Sequence, residues 1–119
     1  MMELTVRRIL LDAGVLDESK IAVNKVVSGT APPYITYFLT AGTRQASMGY
    51  AGKLRNARLQ FDVFAKSYSE AKALASSVQL ALENAAGISP PVFNGDLDQY
   101  EDDTQLHHVI LDYSFWETV

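Results

Sequence analysis

Residues 54–85 read LRNARLQFDVFAKSYSEAKALASSVQLALENA, and a change of period inside this stretch decides the fold. Leu59, Phe61, Val63 and Ala65 alternate with Arg58, Gln60 and Asp62, the two-residue period of a strand with one apolar face. From Ser67 onward the period lengthens. Ser67 and Glu70 stand at the S-x-x-E spacing of a helix capping box. Ala71, Leu74, Ala75, Val78, Leu82 and Ala85 then form one apolar stripe at helical spacing. Gly87, Pro90 and Pro91 are stop signals. The stripe is rich in alanine, so this helix can lie close against a sheet.

Working toward the N-terminus, residues 34–41 are β-branched and aromatic and read as a second strand. Tyr34 and Phe38 point one way, and Ile35, Tyr37 and Leu39 the other, so this strand calls for cover on both faces. Pro32 and Pro33 impose an extended approach to it, after a turn at Ser28, Gly29 and Thr30. Residues 21–27 read as a short strand. A first helix over residues 3–13 follows from Val6, Ile9, Leu10 and Ala13, with Leu4 and Leu11 widening its apolar face. Gly14 ends it, since glycine tolerates the left-handed conformation.

Toward the C-terminus, residues 92–100 are ambiguous between strand and loop. Residues 106–117 form a last strand, with Val109, Leu111, Tyr113 and Phe115 on one face and Ile110, Asp112, Ser114 and Trp116 on the other. The expected order is α-β-β-β-α-β-β, a single α+β domain over residues 1–119. Its sheet is mixed or antiparallel, of about four to five strands, and is packed by two helices. Leu59, Phe61, Val63, Leu74, Val78, Leu82, Val109, Leu111 and Tyr113 are the expected core. Residues 42–56, with Gly42, Gly49 and Gly52, form either a loop or a long hairpin arm.

Bulk composition narrows the function. Of 119 residues, 48% are hydrophobic and 20% charged, which suits a folded domain and not a disordered tract. There is no cysteine, so disulfides and thiolate metal sites are excluded. The net charge of −4 is the reverse of the basic surplus expected of a DNA-binding module. The apolar N-terminal stretch is broken by Arg7 and Arg8 and is too short for a signal core or a membrane span, so no membrane partner is expected.

Candidate chemistry is sparse. His107 and His108 are neighbours in a strand and point to opposite faces, so they cannot share a metal. Asp96, Asp98, Glu101, Asp102 and Asp103 are the densest charge cluster, but they lack the spacing of a calcium loop. No structural metal is expected there. The cluster is either a solvated acidic loop or the wall of a negatively charged channel. Arg44, Lys53, Arg55 and Arg58, with Tyr50, mark a basic segment that fits solvated hairpin charges, pairing with an acidic protein surface, or a nucleic-acid patch. Met48 and Tyr50 offer apolar anchoring beside these charges, and three glycines make the arm costly to order without a contact. No nucleophile elbow, H-E-x-x-H, phosphate loop or dinucleotide fingerprint is present, and no catalytic, cofactor-binding or metal residue is assigned.

Three stretches carry a resemblance. They are PYITY at residues 33–37, LRNARLQFDVFA at 54–65 running on to YSEA at 68–71, and Tyr100 followed by HVILDYSFW at 108–116. In order and spacing they resemble the tail-terminator, or tail-completion, proteins of long-tailed bacteriophages and prophages. The R-x-Q-x-D-x-aromatic-A-x-x-Y-x-E-A run is the most specific part, and residues 42–52 and 88–103 depart from the pattern.

The resemblance implies a non-enzymatic virion protein, assembled in the host cytoplasm. It would form a ring, commonly a hexamer, at the head-proximal end of the tail tube. Such a ring ends tube polymerisation and offers a joining surface to the head. The implied partners are further copies of the chain, the major tail tube protein, and a head-completion or connector protein, with DNA only passing through the channel. Candidate interface residues are Arg44, Met48, Tyr50, Lys53, Arg55, Phe64 and Trp116. The acidic cluster is the candidate channel lining. The alternatives are another neck, tube or baseplate component, or a small-molecule-binding α+β enzyme with a closed apolar pocket.

Overall fold

A computed structural model of the chain describes residues 2–24, 29–45, 54–86, 88 and 90–118. Its elements are α1 (Met2–Asp12), a 3-10 turn (Glu18–Lys20), β1 (Ile21–Val23), β2 (Tyr34–Gln45), β3 (Leu54–Ala65), α2 (Tyr68–Glu83), β4 (Val92–Glu101) and β5 (Leu106–Thr118). The order of helices and long strands is the expected one. The five strands form one sheet in the order β1-β2-β3-β5-β4. β1 runs parallel to β2, and every other neighbouring pair is antiparallel. This is a mixed sheet.

Both helices begin and end for local reasons. Ser67 Oγ accepts a hydrogen bond from the Glu70 amide at 3.2 Å, the expected cap of α2. The Asn84 amide, bonded to the Leu80 carbonyl, closes the other end, three residues before Gly87, which lies outside the described residues. At the end of α1, Gly14 takes φ +70°. Its amide bonds to Leu11 and that of Val15 to Leu10, which satisfies carbonyls that the last turn leaves open.

The core lies between one face of the sheet and the two helices. All nine expected core residues are buried there, joined by Ile35, Tyr37, Phe115 and the α1 residues Val6 and Leu10. Phe61 stands at the centre, with Tyr37 at 5.6 Å and Tyr113 at 6.1 Å between ring centres. α1 is anchored at the β1–β2 side. The Tyr37 hydroxyl donates to the Glu3 carbonyl at 2.7 Å, and Arg7 donates to the carbonyls of Glu18 and Ile21. α2 packs over β3 and β5.

Four features differ from the sequence reading. β1 is three residues long, and residues 25–28 of the expected strand lie outside the described residues. β2 continues to Gln45 and β3 starts at Leu54, so the expected hairpin arm has a paired stem reaching the Gln45–Leu54 pair. Residues 92–101 resolve to a strand, in which a register shift between Phe93 and Gly95 breaks the alternation, placing Val92 and Leu97 on one face and Phe93 and Tyr100 on the other. Finally, β2 receives helix cover on one face alone. Tyr34 and Phe38 lie on the face that no helix covers.

Candidate assembly surface

That second sheet face is the feature the fold leaves unfinished. Strand pairing places Tyr34, Thr36 and Phe38 of β2 beside Phe64, Asp62 and Gln60 of β3, then His108, Ile110 and Asp112 of β5, then Gln99, Leu97 and Gly95 of β4. At one end three rings from three strands run in a row. Tyr34 and Phe64 are 4.9 Å apart, and Phe64 stacks on His108 at 4.2 Å. Phe38, Ile110 and Trp116 are half-buried, and Leu97 is 55% exposed.

Polar groups interrupt the apolar surface in two places. Arg58 makes a forked contact to Asp112, at 2.6 to 3.1 Å, across β3 and β5. That hydrogen bond and the guanidinium charge hold the Asp112 carboxyl below its usual range, and the same bond with the carboxylate charge raises Arg58 in turn. Beside them Asn94 Nδ2 donates to Ser114 Oγ at 2.8 Å. In the second place, Asp62 is only 8% exposed although no helix lies over it. Gln60 donates to its carboxylate at 2.9 Å, and His108 Nε2 lies 3.2 Å from the same oxygen. The histidine contact is close but poorly aligned, so neither ring nitrogen has a satisfactory hydrogen bond among the described residues. A carboxylate neighbour for His108 was not visible in the sequence, because Asp62 sits 46 positions away and only strand register brings the two together.

The candidate interface residues divide. Phe64 and Trp116 lie on the open face. Arg55 lies on the helix side and is bound to Glu117 at 3.2 Å. Arg44 pairs in register with Arg55 on the hairpin stem. Met48, Tyr50 and Lys53 lie outside the described residues.

The acidic residues divide as well. Asp96 and Asp98 are on the helix side of β4, in register with Leu111 and Val109. Asp98 accepts from the Tyr68 hydroxyl at 2.9 Å and from Lys72 at 3.2 Å, and these bonds hold its carboxyl below the usual range. Glu101 ends the strand on the open side, and Asp102 and Asp103 are exposed in the turn to β5. Among the described residues no three His, Cys, Asp or Glu side chains gather as a metal site. No described helix is long and apolar enough to cross a membrane. A groove of about 700 Å³ between the C-terminal ends of α1 and α2, lined in part by Ile9, Val15, Leu80 and Ala81, opens widely to solvent.

The described residues thus define a small α+β subunit whose sheet is covered by helices on one face and bears a row of aromatic rings on the other. The family described as tail completion protein gp17 matches residues 7–118, nearly the whole chain, and the chain belongs to that family. As a member of that family it is a structural, non-enzymatic protein of the phage tail. The fold is shared with a chain from the virion of a native gene transfer agent particle. The TM-score is 0.68 and the identity 12%, over 95% of this chain and 94% of the other. No curated protein sequence matches.

Proposed function

We propose that copies of this chain form a closed ring, a hexamer, at the head-proximal end of the tail tube. There the ring stops addition of the major tail tube protein on one side and receives a head-completion or connector protein on the other. The observation that carries this reading is the open sheet face. Tyr34, Phe64 and His108 pack ring against ring there with no described helix to cover them, as a surface made for a protein neighbour would be. The hairpin stem from β2 to β3 supports a second contact. The sequence from residue 44 to 53 carries Arg44 and Lys53 with Met48 and Tyr50, which suits an acidic surface on another copy or on the tube.

DNA enters this reading as cargo. Six copies at −4 each carry −24, and a ring of that charge lets phosphates pass without holding them. Asp102 and Asp103, exposed at a turn, are the residues best placed to line such a channel.

Native mass measurement of the purified protein, followed by negative-stain imaging, tests the ring. Closed rings of six copies are expected, at low-micromolar concentration or when tube protein is added. Monomers or dimers under every condition, including on tubes, would refute it.

A further inference from the structure

The groove between the two helices lies on the far side of the core from the open sheet face, and both helices end at it. Ile9, Val15, Leu80 and Ala81 give it apolar surface, and Leu80 stays 62% exposed there. Its volume is about 700 Å³, room for one or two large side chains. It opens widely, so a small molecule would remain mostly wet in it. A chain segment laid across the opening would cover it.

The electrostatics of the same place are one-sided. A helix carries partial negative charge at its C-terminal end, which lysine, arginine or histidine in the last turn commonly offsets. Neither α1 nor α2 has a basic residue in its last turn. Each closes instead on a carboxylate, Asp12 and Glu83, the unfavourable sign for that end. Among the described residues that line the groove, Asp12 is the one with a charge, and it is exposed. Arg8, one turn earlier, is not part of this lining and forms no ion pair with Asp12 among the described residues. No amide beyond Asn84 bonds back into α2 among the described residues, so the last carbonyls of that helix have no amide partner there. No lysine or arginine follows Lys72 in the chain, so nothing downstream of α2 supplies a permanent cation.

We infer that this groove docks a segment of another virion protein in which a large apolar side chain is flanked by lysine or arginine. The apolar side chain would fill the space beside Leu80. The cation would meet Asp12 and the two helix ends, with its methylene stem lying along the apolar wall. An acidic segment would be repelled by the same groups, which gives the site a selectivity by charge. The groove is complete within one subunit, so docking there does not depend on ring closure.

The probes are overlapping short peptides from the tail tube protein and the head-completion protein of the same virion, together with peptides of this chain, read by fluorescence anisotropy. The intact tube and head-completion proteins are read in parallel. Binding is expected from one of the two neighbours, through a stretch with lysine or arginine close to a large apolar residue. Leu80→Ser should weaken it by about tenfold or more, since a buried apolar anchor commonly dominates such a contact. Asp12→Lys should weaken it as well, and the parent's binding should fall as salt rises. Asp12→Lys also supplies the missing cation from within, so its melting temperature should rise while its binding falls. Both positions are exposed, and circular dichroism spectra like the parent's are expected. The proposal is overturned if neither the peptides nor the intact proteins bind, or if the binding stretch has no basic residue. It is equally overturned if both variants bind as the parent does, or if only peptides of this chain bind, which would make a second copy the occupant.

Discussion

Phe61 and Phe64 are three residues apart on the same strand, yet they belong to different problems. Phe61 points to the helices, is fully buried, and contacts Tyr37, Tyr113 and Phe115. Phe64 points the other way and is half-buried between Tyr34 and His108, with no helix above it. One side chain completes the core of a subunit. The other is ordered by its neighbours into a surface that the subunit alone does not finish. The difference teaches that hydrophobic content on a strand of this protein divides by face between the helix-covered core and an open surface, and under the proposed function the two parts should respond separately to mutation.

The largest expected effect therefore falls on the helix-covered face. Phe61→Ala should destabilise the subunit by about 3–5 kcal/mol, from lost burial and the cavity left behind. Phe64→Ala should cost only about 1 kcal/mol, as half-buried sites commonly do. Denaturant unfolding of both variants checks the contrast, and equal losses would break it.

Tyrosine ionisation sharpens the same comparison. Burial pushes Tyr37 and Tyr113, both on the helix side, up to about 12. A folded value above the unfolded one, about 10, means the folded state holds the proton longer. The stability from these two phenols is then complete below about pH 10 and is lost as pH rises toward about 12. Absorbance titration should show two late-ionising tyrosines, the last of them coinciding with alkaline unfolding. Substituting both by Phe should remove that late step.

A smaller effect, and one on assembly alone, is expected from the hairpin. Arg44→Glu with Lys53→Glu should leave unfolding unchanged but weaken ring formation or tube capping. The loss should be greater at low salt, since charge contacts are screened within about 10 Å at 0.1 M. Sedimentation at two salt concentrations reads this out, and rings as stable as the parent's at low salt would remove the arm from the interface.

How far these regions were legible in the sequence follows from register. The covered face was readable because β3, β5 and α2 each keep one period from end to end, so Leu59 to Ala65 and Leu74 to Leu82 declare their faces locally. β4 was not, because the shift at Phe93 to Gly95 sends Val92 and Leu97 to one face and Phe93 and Tyr100 to the other, which destroys the alternation. The same holds for β2 beyond Leu39, where a second shift precedes Gly42 and the ladder continues because β3 supplies partners. The parallel pairing of β1 and the Asp62–His108 contact depend on residues far apart in the chain, so no local pattern announces them. Phe64 and Trp116, the aromatic candidates for a subunit contact, both lie on the open face, as their place opposite the core positions requires. Arg55 is instead engaged with Glu117 inside the subunit.

The most direct test of a tail-completing role is the length of tail tubes polymerised from tube protein with and without this chain. Added at a stoichiometry of a few rings per tube, the protein should shorten and narrow the length distribution, and electron micrographs should show extra density at one end only. Tubes that grow to the same lengths, with bare ends or with the protein spread along their sides, would contradict the account.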